Sequence, residues 1–385
     1  MLKAANRMHH IAPFYVMDLL AQARKLEAQG RDIVHMEIGE PDFPTPAPII
    51  NAGIAALAAG KTHYTPAVGL PALRDALANY YDQHYDCKVE SQNIVITPGS
   101  SGALQLVISV LVNPGEEVLM TEPGYPCNKH FVELAGGQAK FIELSQQDSF
   151  SISLEQVKQA WTSNTKAIML ASPSNPTGEI ISDQTLLEIA QFARSKNGFL
   201  IVDEIYQGLE YDVSLQSMAG KLDNIFVINS FSKFFCMTGW RLGWLVAPAA
   251  FVESIDILAQ NIFLAAPTAA QYAALAAFSN ETMTILEEYR IAFQARRDYL
   301  YEAVSALGFG VGGKPKGAFY IYADSSRFAT DSYKLCFELL EKAGVAITPG
   351  KDFSKANPEK YVRFAYTRDI AELEKGIDRI SSFMA

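Results

Sequence analysis

The chain has 385 residues, of which 49% are hydrophobic and 19% are charged, and its formal net charge is −10. This length suits one large domain with a smaller one, and the acidic balance argues against a nucleic-acid partner, which requires clustered lysine and arginine. No stretch approaches the ~20 apolar residues of a membrane-spanning helix, so we expect no membrane partner either.

The four cysteines, Cys87, Cys127, Cys236 and Cys336, are far apart and include no Cys-x-x-Cys pair. We therefore expect free thiols rather than a disulfide framework or a zinc site, and no metal. The first residues, MLKAANRMHHIAPFYVM, carry charge and histidine where a secretory signal needs a continuous apolar core. These features predict a cytoplasmic protein.

The first part of the chain predicts two helices, at residues 14–30 and 48–59, from the spacing of apolar residues and from alanine content. Between them, the segment IVHMEIGEPDFPTP leaves a short strand and enters a loop where Gly39 permits close approach of the backbone to a ligand. Tyr64 follows in a Tyr-Thr-Pro loop. A plain turn glycine and a loop aromatic are the alternative interpretations of these two residues.

From residue 93 onward the sequence alternates strands with helices, which is typical of βαβ units and a mainly parallel sheet. The first unit, NIVITPGSSGALQLVISVLV, is a strand, a Ser/Gly turn and an apolar helix. Backbone N–H groups at the start of that helix, with Ser100, Ser101 and Gly102, suit an anion such as phosphate. Ordinary N-capping by serine is the alternative, and the segment lacks the lysine of a nucleotide P-loop.

Two later strands end in unusual turns. EEVLMTEPGYP places Tyr125 between prolines, where a ring with little rotamer freedom can face a ligand. Strands are predicted at residues 138–144 and 166–171, and the second enters SPSNPTG, where Asn175 cannot join a regular strand ladder. A packed loop tyrosine and a plain Asn-Pro turn are the alternatives.

A further apolar strand, GFLIVDEIYQG, follows a helix predicted at residues 183–196 and ends in two acids. Carboxylates at the carboxyl ends of buried parallel strands lie where α/β folds bind ligands. Asp203 and Glu204 are adjacent, so on an extended chain they point to opposite faces and only one enters the site. A buried Asp203 anion requires a positive partner, and Tyr206 is placed to donate a hydrogen bond nearby.

The segment SFSKFFCMTGWRLGW, residues 230–244, carries the strongest chemical signal. Lys233 follows a predicted strand, with Ser230 and Ser232 beside it. A lysine amine can form a Schiff base with an aldehyde only when it is unprotonated, which requires burial or a cationic neighbour. Arg241, eight residues later, is such a neighbour, and its guanidinium also suits a phosphate. The alternative is a solvated lysine and a structural arginine.

The last part predicts a charged helix at about residues 282–307, a strand in PKGAFYIYAD, a helix at 334–343 and a strand in YVRFAYT. Arg363 stands in this otherwise apolar last strand, where an unpaired charge is costly. A salt bridge inside the protein is the simplest way to satisfy it.

Ser-x-Ser-Lys followed by Met-Thr-Gly-Trp-Arg-Leu-Gly resembles the pyridoxal-phosphate lysine region of the class I and II aminotransferases, in the aspartate aminotransferase superfamily of fold type I. Family-like stretches occur in the expected order from Gly39 to Arg363. The resemblance implies an α/β fold with two domains. The large cofactor-binding domain, residues 46–285, has a mainly parallel sheet flanked by helices, and residues 1–45 and 286–385 form a smaller α+β domain.

The resemblance also implies roles around the cofactor pyridoxal 5'-phosphate. Lys233 forms a Schiff base with the cofactor aldehyde and then moves the substrate proton, while Asp203 keeps the pyridine nitrogen protonated. Tyr206 and Asn175 hydrogen-bond the phenolic oxygen, and Tyr125 stacks on the ring. The residues implied for the phosphate are Ser100, Ser101, Gly102, Ser230, Ser232 and Arg241. Those implied for the substrate are Gly39, Asn175 and Arg363, which clamps the α-carboxylate.

Tyr64 matches a family tyrosine that reaches across a dimer interface to the other subunit's phosphate, so the resemblance implies a homodimer. It implies an aminotransferase that moves an amino group between an L-amino acid and a 2-oxo acid. Two alternatives remain: a C–S β-lyase of the same fold that acts on a thioether amino acid, and a regulatory domain that binds the cofactor without turnover.

The substrate is not identified by the sequence. A dicarboxylate substrate requires a second cation, and the sequence does not place Arg290, Arg296, Arg297 or Lys129 in the pocket. Residues 14–16 lie in a segment that resembles the family's mobile lid, and their side chains favour an apolar or aromatic substrate.

Overall fold

The helices and strands alternate through most of the chain. The computed structural model describes residues 3–9, 11 and 13–385, so residues 1, 2, 10 and 12 of the predicted small domain lie outside the described residues. The helices are α1 (Tyr15–Ala28), α2 (Ala47–Ala58), α3 (Pro71–Tyr85), α4 (Gly99–Leu111), α5 (Asn128–Leu134), α6 (Leu154–Ala160), α7 (Asp183–Ser195), α8 (Ala249–Ile262), α9 (Thr268–Ala274), α10 (Asn280–Leu307), α11 (Ser332–Glu338) and α12 (Ile370–Met384). The strands are β1 (Val34–His35), β2 (Ile94–Thr97), β3 (Glu117–Glu122), β4 (Gln138–Glu143), β5 (Thr165–Ala171), β6 (Phe199–Asp203), β7 (Ile225–Ser230), β8 (Gly243–Val246), β9 (Gly310–Val311), β10 (Tyr320–Asp324), β11 (Val345–Ala346), β12 (Thr348–Pro349) and β13 (Tyr361–Ala365).

The largest sheet has seven strands in the order β2-β8-β7-β6-β5-β3-β4. Strand β8 is antiparallel to both of its neighbours, and the other pairs are parallel. Helices cover both faces, which is why central strands such as β6 are continuous apolar runs whose Leu200, Ile201 and Val202 are fully buried. The predicted α/β fold with a mainly parallel sheet is confirmed.

The functional segments leave this sheet along one edge. Ala171, the last residue of β5, pairs with Asp203, the last residue of β6. Because β8 is antiparallel, its first residue, Gly243, lies beside the last residues of β7 and β2, Ser230 and Thr97. Residues that are distant in sequence therefore meet at this edge, where open α/β sheets bind ligands.

A second group of elements joins the two ends of the chain. Strand β1 pairs in parallel with β11, Val34 opposite Val345, and a four-stranded antiparallel sheet has the order β12-β13-β10-β9. This is the smaller α+β part of the predicted fold class, although the boundaries at residues 45/46 and 285/286 stay a prediction. No helix among the described residues is long and apolar enough to span a membrane.

Gly243 is the point where the large sheet touches the start of helix α4. A Cβ atom on Gly243 would lie 2.7 Å from the carbonyl carbon of Gly99, 2.8 Å from the nitrogen of Ser100 and 2.9 Å from the carbonyl oxygen of Asn229. All three are backbone atoms, which cannot rotate away as a side chain could. The missing side chain of Gly243 therefore sets how closely α4 approaches the edge of the sheet.

We expect Gly243→Ala to lower the free energy of unfolding by about 1–3 kcal/mol, the usual effect of forcing an extra methyl group into a packed region. Urea denaturation measures this loss. Gly313→Ala is the matched control, because nothing lies within 4 Å of a Cβ atom at Gly313. Equal denaturation midpoints for the two variants would contradict the packing argument.

Candidate active site

A cavity of about 820 Å³ lies at the edge of the sheet described above. This volume is within the range of small-molecule sites, roughly 300–1,000 Å³. Its wall contains most of the residues predicted from the sequence, namely Gly39, Ser100, Ser101, Tyr125, Asn175, Asp203, Tyr206, Ser232, Lys233, Arg241 and Arg363.

Lys233 lies three residues beyond β7, with its amine facing the cavity. Its Nζ atom donates a hydrogen bond to the carbonyl oxygen of Gly39 at 2.6 Å. The pKa of Lys233 is lowered from 10.5 to about 8, mainly by burial and in part by the positive charges of Arg363 and Arg241, while Glu40 and Asp203 oppose the shift. Roughly a tenth of the amine is therefore uncharged at pH 7, far more than for an ordinary lysine. The uncharged amine is the form that attacks a carbonyl.

Asp203 ends β6 and is buried on the cavity side of the strand. Burial raises the pKa of its carboxyl, which is about 6. A hydrogen bond from the Ile205 N–H (3.1 Å) and the positive charge of Lys233 act in the opposite direction and lower this pKa. Glu204 points to the opposite face, as an extended chain predicts. Its carboxylate accepts hydrogen bonds from the Ser217 hydroxyl (2.7 Å) and the Met218 N–H (2.8 Å), outside the cavity. Asp203 is thus the acid that a cationic ligand group would meet.

Arg363 projects from β13 and is almost completely buried. Its Nη1 atom donates to Asn175 Oδ1 at 2.9 Å, and its Nη2 atom donates to the carbonyl oxygen of Glu37 at 2.7 Å. Nε has no hydrogen-bond partner among the described residues. No carboxylate pairs with this guanidinium within the described part of the chain, so the alternative interpretation of Arg363, a salt bridge inside the protein, is not supported. Its positive charge is available to an anion in the cavity.

Arg241 lies against the first turn of α4, and both features favour an anion. The guanidinium is so close to Gly99 that a Cβ atom there would lie 2.7 Å from Arg241 Nη2. Ser100 and Ser101 line the cavity at the same place. The first N–H groups of a helix have no partner inside the helix and carry the positive end of its dipole. Together, the arginine and the helix start form a site suited to a phosphate.

Three of the predicted residues do not line the cavity. Gly102 is buried within α4, where a Cβ atom would lie 2.8 Å from Pro98. Ser230 is buried behind Ser232: its hydroxyl lies 2.9 Å from the Ser232 hydroxyl and accepts the Ser232 N–H at 3.1 Å. Tyr64 is 82% exposed. The structure therefore places Gly102 and Ser230 as supports of cavity residues, because small buried groups are needed there, and places Tyr64 on the surface.

Other wall residues were not identified from the sequence. Tyr320, on β10, places its hydroxyl 2.9 Å from that of Tyr206. Thr238 donates a hydrogen bond to Glu40 at the wall. The available signal for Tyr320 was its alternation with Tyr322 along a strand, which places both on one face, but nothing local indicates that this face is the cavity.

Comparison with known proteins points to the same chemistry. The sequence profile of the family described as aminotransferase class I and II matches residues 31–380. The chain is similar to a (5-formylfuran-3-yl)methyl phosphate transaminase of Methanocaldococcus jannaschii, with 37% identity over 383 residues, 99% of each chain. It is 34% identical to a valine–pyruvate aminotransferase of Mycobacterium tuberculosis over 97% of each chain. A crystal structure of an aminotransferase from Mycobacterium tuberculosis superposes with a TM-score of 0.96 at 34% identity, covering 100% of this chain and 99% of that one.

The lowered pKa of Lys233 predicts a distinctive labelling profile in the cofactor-free protein. Only the neutral amine reacts with an acylating reagent, so labelling of Lys233 should be half-maximal near pH 8, whereas an ordinary lysine needs a pH of about 10.4. Pulse labelling from pH 6 to 11, followed by peptide mass spectrometry, measures the profile. In Arg363→Met the midpoint should move to higher pH, because a positive neighbour is lost. A wild-type midpoint near that of an ordinary lysine would contradict the assignment.

Proposed function

Since the chain belongs to the class I and II aminotransferases and is a pyridoxal-phosphate-dependent enzyme, we propose which of its residues carry out amino-group transfer. The observation that supports the proposal is the convergence of Lys233, Asp203 and Arg363 on one cavity. An amine with a lowered pKa, a buried acid and an arginine with no carboxylate partner among the described residues are three unusual groups, and each suits one part of the reaction.

The cavity residues fit pyridoxal phosphate. When bound, this cofactor supplies an aldehyde that accepts the amino group and a ring that withdraws electrons from the reacting carbon. Arg241 and the start of α4 would hold its phosphate, and Asp203 would pair with its ring nitrogen. That pairing would give the buried carboxyl group a positive partner, because a protonated ring nitrogen is a cation. Tyr125 would cover the ring.

Asn175 and Arg363 are proposed to orient the substrate and the cofactor relative to each other. Because Asn175 Oδ1 accepts an N–H of Arg363, its Nδ2 group is the end left to donate to the cofactor's phenolic oxygen. Nη2 of Arg363 also donates to the Thr348 hydroxyl at 3.2 Å, but Nη1 keeps a second N–H and Nε has no partner among the described residues. Two N–H groups of the guanidinium therefore remain for a carboxylate. The backbone of Gly39 completes this end of the cavity.

Lys233 is proposed to move the proton of the substrate's α-carbon. Its hydrogen bond to the carbonyl oxygen of Gly39 gives the free amine a resting position beside the substrate site. A base with a pKa near the working pH transfers protons most efficiently, and the value of about 8 meets that condition. Arg363 holds the substrate, so the amine needs to move only a short distance.

The arginines considered for a second substrate carboxylate are engaged elsewhere. Arg296 pairs with Asp42 at 2.7 Å, Arg297 pairs with Asp212 and Asp298, and Arg290 pairs with Glu287. Lys129 lies with Lys351 and Lys355 in a small neighbouring cleft. The wall formed by α1 is apolar and consists of Val16, Met17 and Leu20. We therefore propose amino donors with apolar side chains, such as the valine named for one relative.

Replacement of the lysine tests the assignment. We expect Lys233→Ala to lower transamination by at least about 10³-fold, because both the carbonyl-reactive amine and the base are removed. Activity is measured with valine, alanine, phenylalanine and aspartate against pyruvate and 2-oxoglutarate. Lys334→Ala, on the exposed face of α11, is the control and should retain full activity. Retained turnover in Lys233→Ala would show that the amine has been misassigned.

The same panel tests the substrate class. The apolar wall predicts that valine or phenylalanine gives a higher kcat/KM than aspartate. A preference for aspartate would instead indicate that the lysines of the neighbouring cleft reach the distal carboxylate. Release of ammonia from cystathionine without an oxo-acid acceptor would indicate the β-lyase reaction.

We also propose a homodimer that acts in the cytoplasm. Helix α2 exposes Ile50, Ile54 and Leu57 on one stripe, spaced i, i+4, i+7, and Tyr64 follows it on the surface. The inner face of α2 packs at Gly53 against Trp240, the residue before Arg241. The exposed stripe therefore lies close to the proposed phosphate site, where a second subunit could contribute its Tyr64. The four cysteines are free, as expected in a reducing compartment.

We expect Ile54→Glu to disrupt the dimer, because it buries a charge in an apolar interface. Light scattering coupled to size-exclusion chromatography measures the mass of the 42.3 kDa chain and its assembly. Ile291→Glu is the matched control, since Ile291 is similarly exposed (54% against 61%) but lies on α10. Tyr64→Phe should remain dimeric yet bind the cofactor more weakly. A wild-type monomer with full cofactor affinity would overturn the proposal.

A further inference from the structure

Tyr320 is a fully buried tyrosine in the cavity wall to which the proposed reaction gives no part. It lies on β10, where the register with β13 places Tyr322 opposite Arg363. Tyr320 is two residues away on the same face, so its side chain is a diagonal neighbour of the arginine. The strand pairing thus brings a phenol into the centre of the site from a distant part of the sequence.

Three contacts connect Tyr320 to the groups around it. Its hydroxyl lies 2.9 Å from the Tyr206 hydroxyl. The guanidinium carbon of Arg363 lies 4.2 Å from the centre of the Tyr320 ring. A Cβ atom on Gly39 would lie 2.0 Å from the Tyr320 hydroxyl oxygen, so only glycine leaves room for this hydroxyl. Tyr320 therefore contacts the proposed partner of the cofactor oxygen, the proposed carboxylate clamp and the residue that receives the Lys233 amine.

The hydrogen bond between the two tyrosines has a required direction. Tyr206 has one hydroxyl proton, and in its proposed role it donates that proton to the cofactor's phenolic oxygen. Since both phenols are buried, the Tyr320 hydroxyl is then the group that donates to the Tyr206 oxygen. A phenol that accepts a hydrogen bond becomes a stronger donor itself, by about 10–30% per bond.

The ring of Tyr320 acts on the arginine by a different contact. Arg363 is enclosed between the rings of Tyr320 at 4.2 Å and Phe353 at 4.8 Å. Cation–π contacts of this kind fix the plane of a guanidinium. They act through the ring face, so they do not depend on the hydroxyl group.

We propose that Tyr320 is a positioning residue with two separable actions: its hydroxyl directs and strengthens Tyr206 as a donor to the cofactor oxygen, and its ring holds Arg363 in the orientation that binds the substrate carboxylate. The proposal rests on the roles proposed above for Tyr206 and Arg363.

The test compares Tyr320→Phe, which removes only the hydroxyl, with Tyr320→Leu, which also removes the ring. Tyr206→Phe, the double variant Tyr206→Phe/Tyr320→Phe and Arg363→Met complete the set. The first measurement is a spectrophotometric pH titration of the bound cofactor's visible absorption. The second is equilibrium binding of the non-reacting carboxylates propionate, isovalerate and succinate to the loaded protein. Thermal melting confirms that each variant is folded.

A hydrogen-bond donor stabilises an anionic oxygen, so its loss raises the apparent pKa of the bound cofactor. We expect this apparent pKa to rise by about 1–2 in Tyr206→Phe and by about 0.2–0.6 in Tyr320→Phe. In the Tyr206→Phe background, Tyr320→Phe should cause no further rise. The dissociation constant for carboxylates should stay within about twofold of the wild-type value in Tyr320→Phe. In Tyr320→Leu it should rise by roughly fivefold to thirtyfold.

An unchanged titration in Tyr320→Phe, or an equal rise in both backgrounds, would overturn the action through Tyr206. Equal carboxylate binding in Tyr320→Phe and Tyr320→Leu would overturn the action on Arg363. If Tyr206→Phe itself leaves the titration unchanged, the role of Tyr206 fails, and the hydroxyl action of Tyr320 fails with it. Loss of carboxylate binding in Arg363→Met but not in Tyr320→Leu would retain the clamp and reject the ring.

Discussion

The central constraint on this protein is that one amine must remain partly uncharged inside it. An ordinary lysine is protonated at neutral pH, and only removal from water or nearby positive charge changes that. Both are present at Lys233, whose surroundings are buried and include Arg363 and Arg241. The same two arginines are the groups proposed to bind anions. The positive charges that keep the amine reactive would therefore also bind the cofactor phosphate, at Arg241, and the substrate carboxylate, at Arg363.

The fold brings the charged groups of the site together because they lie at or just beyond the ends of neighbouring strands. Burying charged groups is costly, so a chain that places several of them together needs a rigid apolar support around them. Strands β5, β6 and β7 are apolar along their length and carry Asn175, Asp203 and Lys233 at or just beyond their carboxyl ends. The antiparallel β8 begins at the same edge, so Arg241, two residues before its first residue, lies there too. Strands β10 and β13 add Tyr320 and Arg363 from the other side of the cavity.

Much of this could be predicted because the relevant signals are local. Asp203 follows an apolar run, Asn175 lies between prolines, and Lys233 and Arg241 share one short segment that resembles a known family. Other features depend on contacts that no local pattern records. The closeness of Tyr320 to Tyr206 results from packing between segments separated by 114 residues. Ser230 lies next to Lys233 in sequence, yet it faces into the protein behind Ser232.

The secondary-structure predictions also succeeded where the signal is local and failed where it is not. The long apolar runs predict β3, β5, β6 and β7 well, since a buried strand needs little beyond its own sequence. Helix α12 was not predicted, although Leu373, Ile377 and Ile380 form its buried stripe. Strand β8 begins only at Gly243, because Arg241 adopts a left-handed backbone conformation with φ 55°. That turn, which a strand pattern does not reveal, directs the guanidinium toward helix α4.

The most direct measurement of the central claim is to reduce the cofactor-loaded protein with borohydride, digest it and locate the attached cofactor by mass spectrometry. If Lys233 carries the cofactor, a single modified peptide has the added mass on Lys233, and no such peptide forms when the cofactor is withheld. Attachment at another lysine, or a protein that binds the cofactor but is never modified at residue 233, would contradict it.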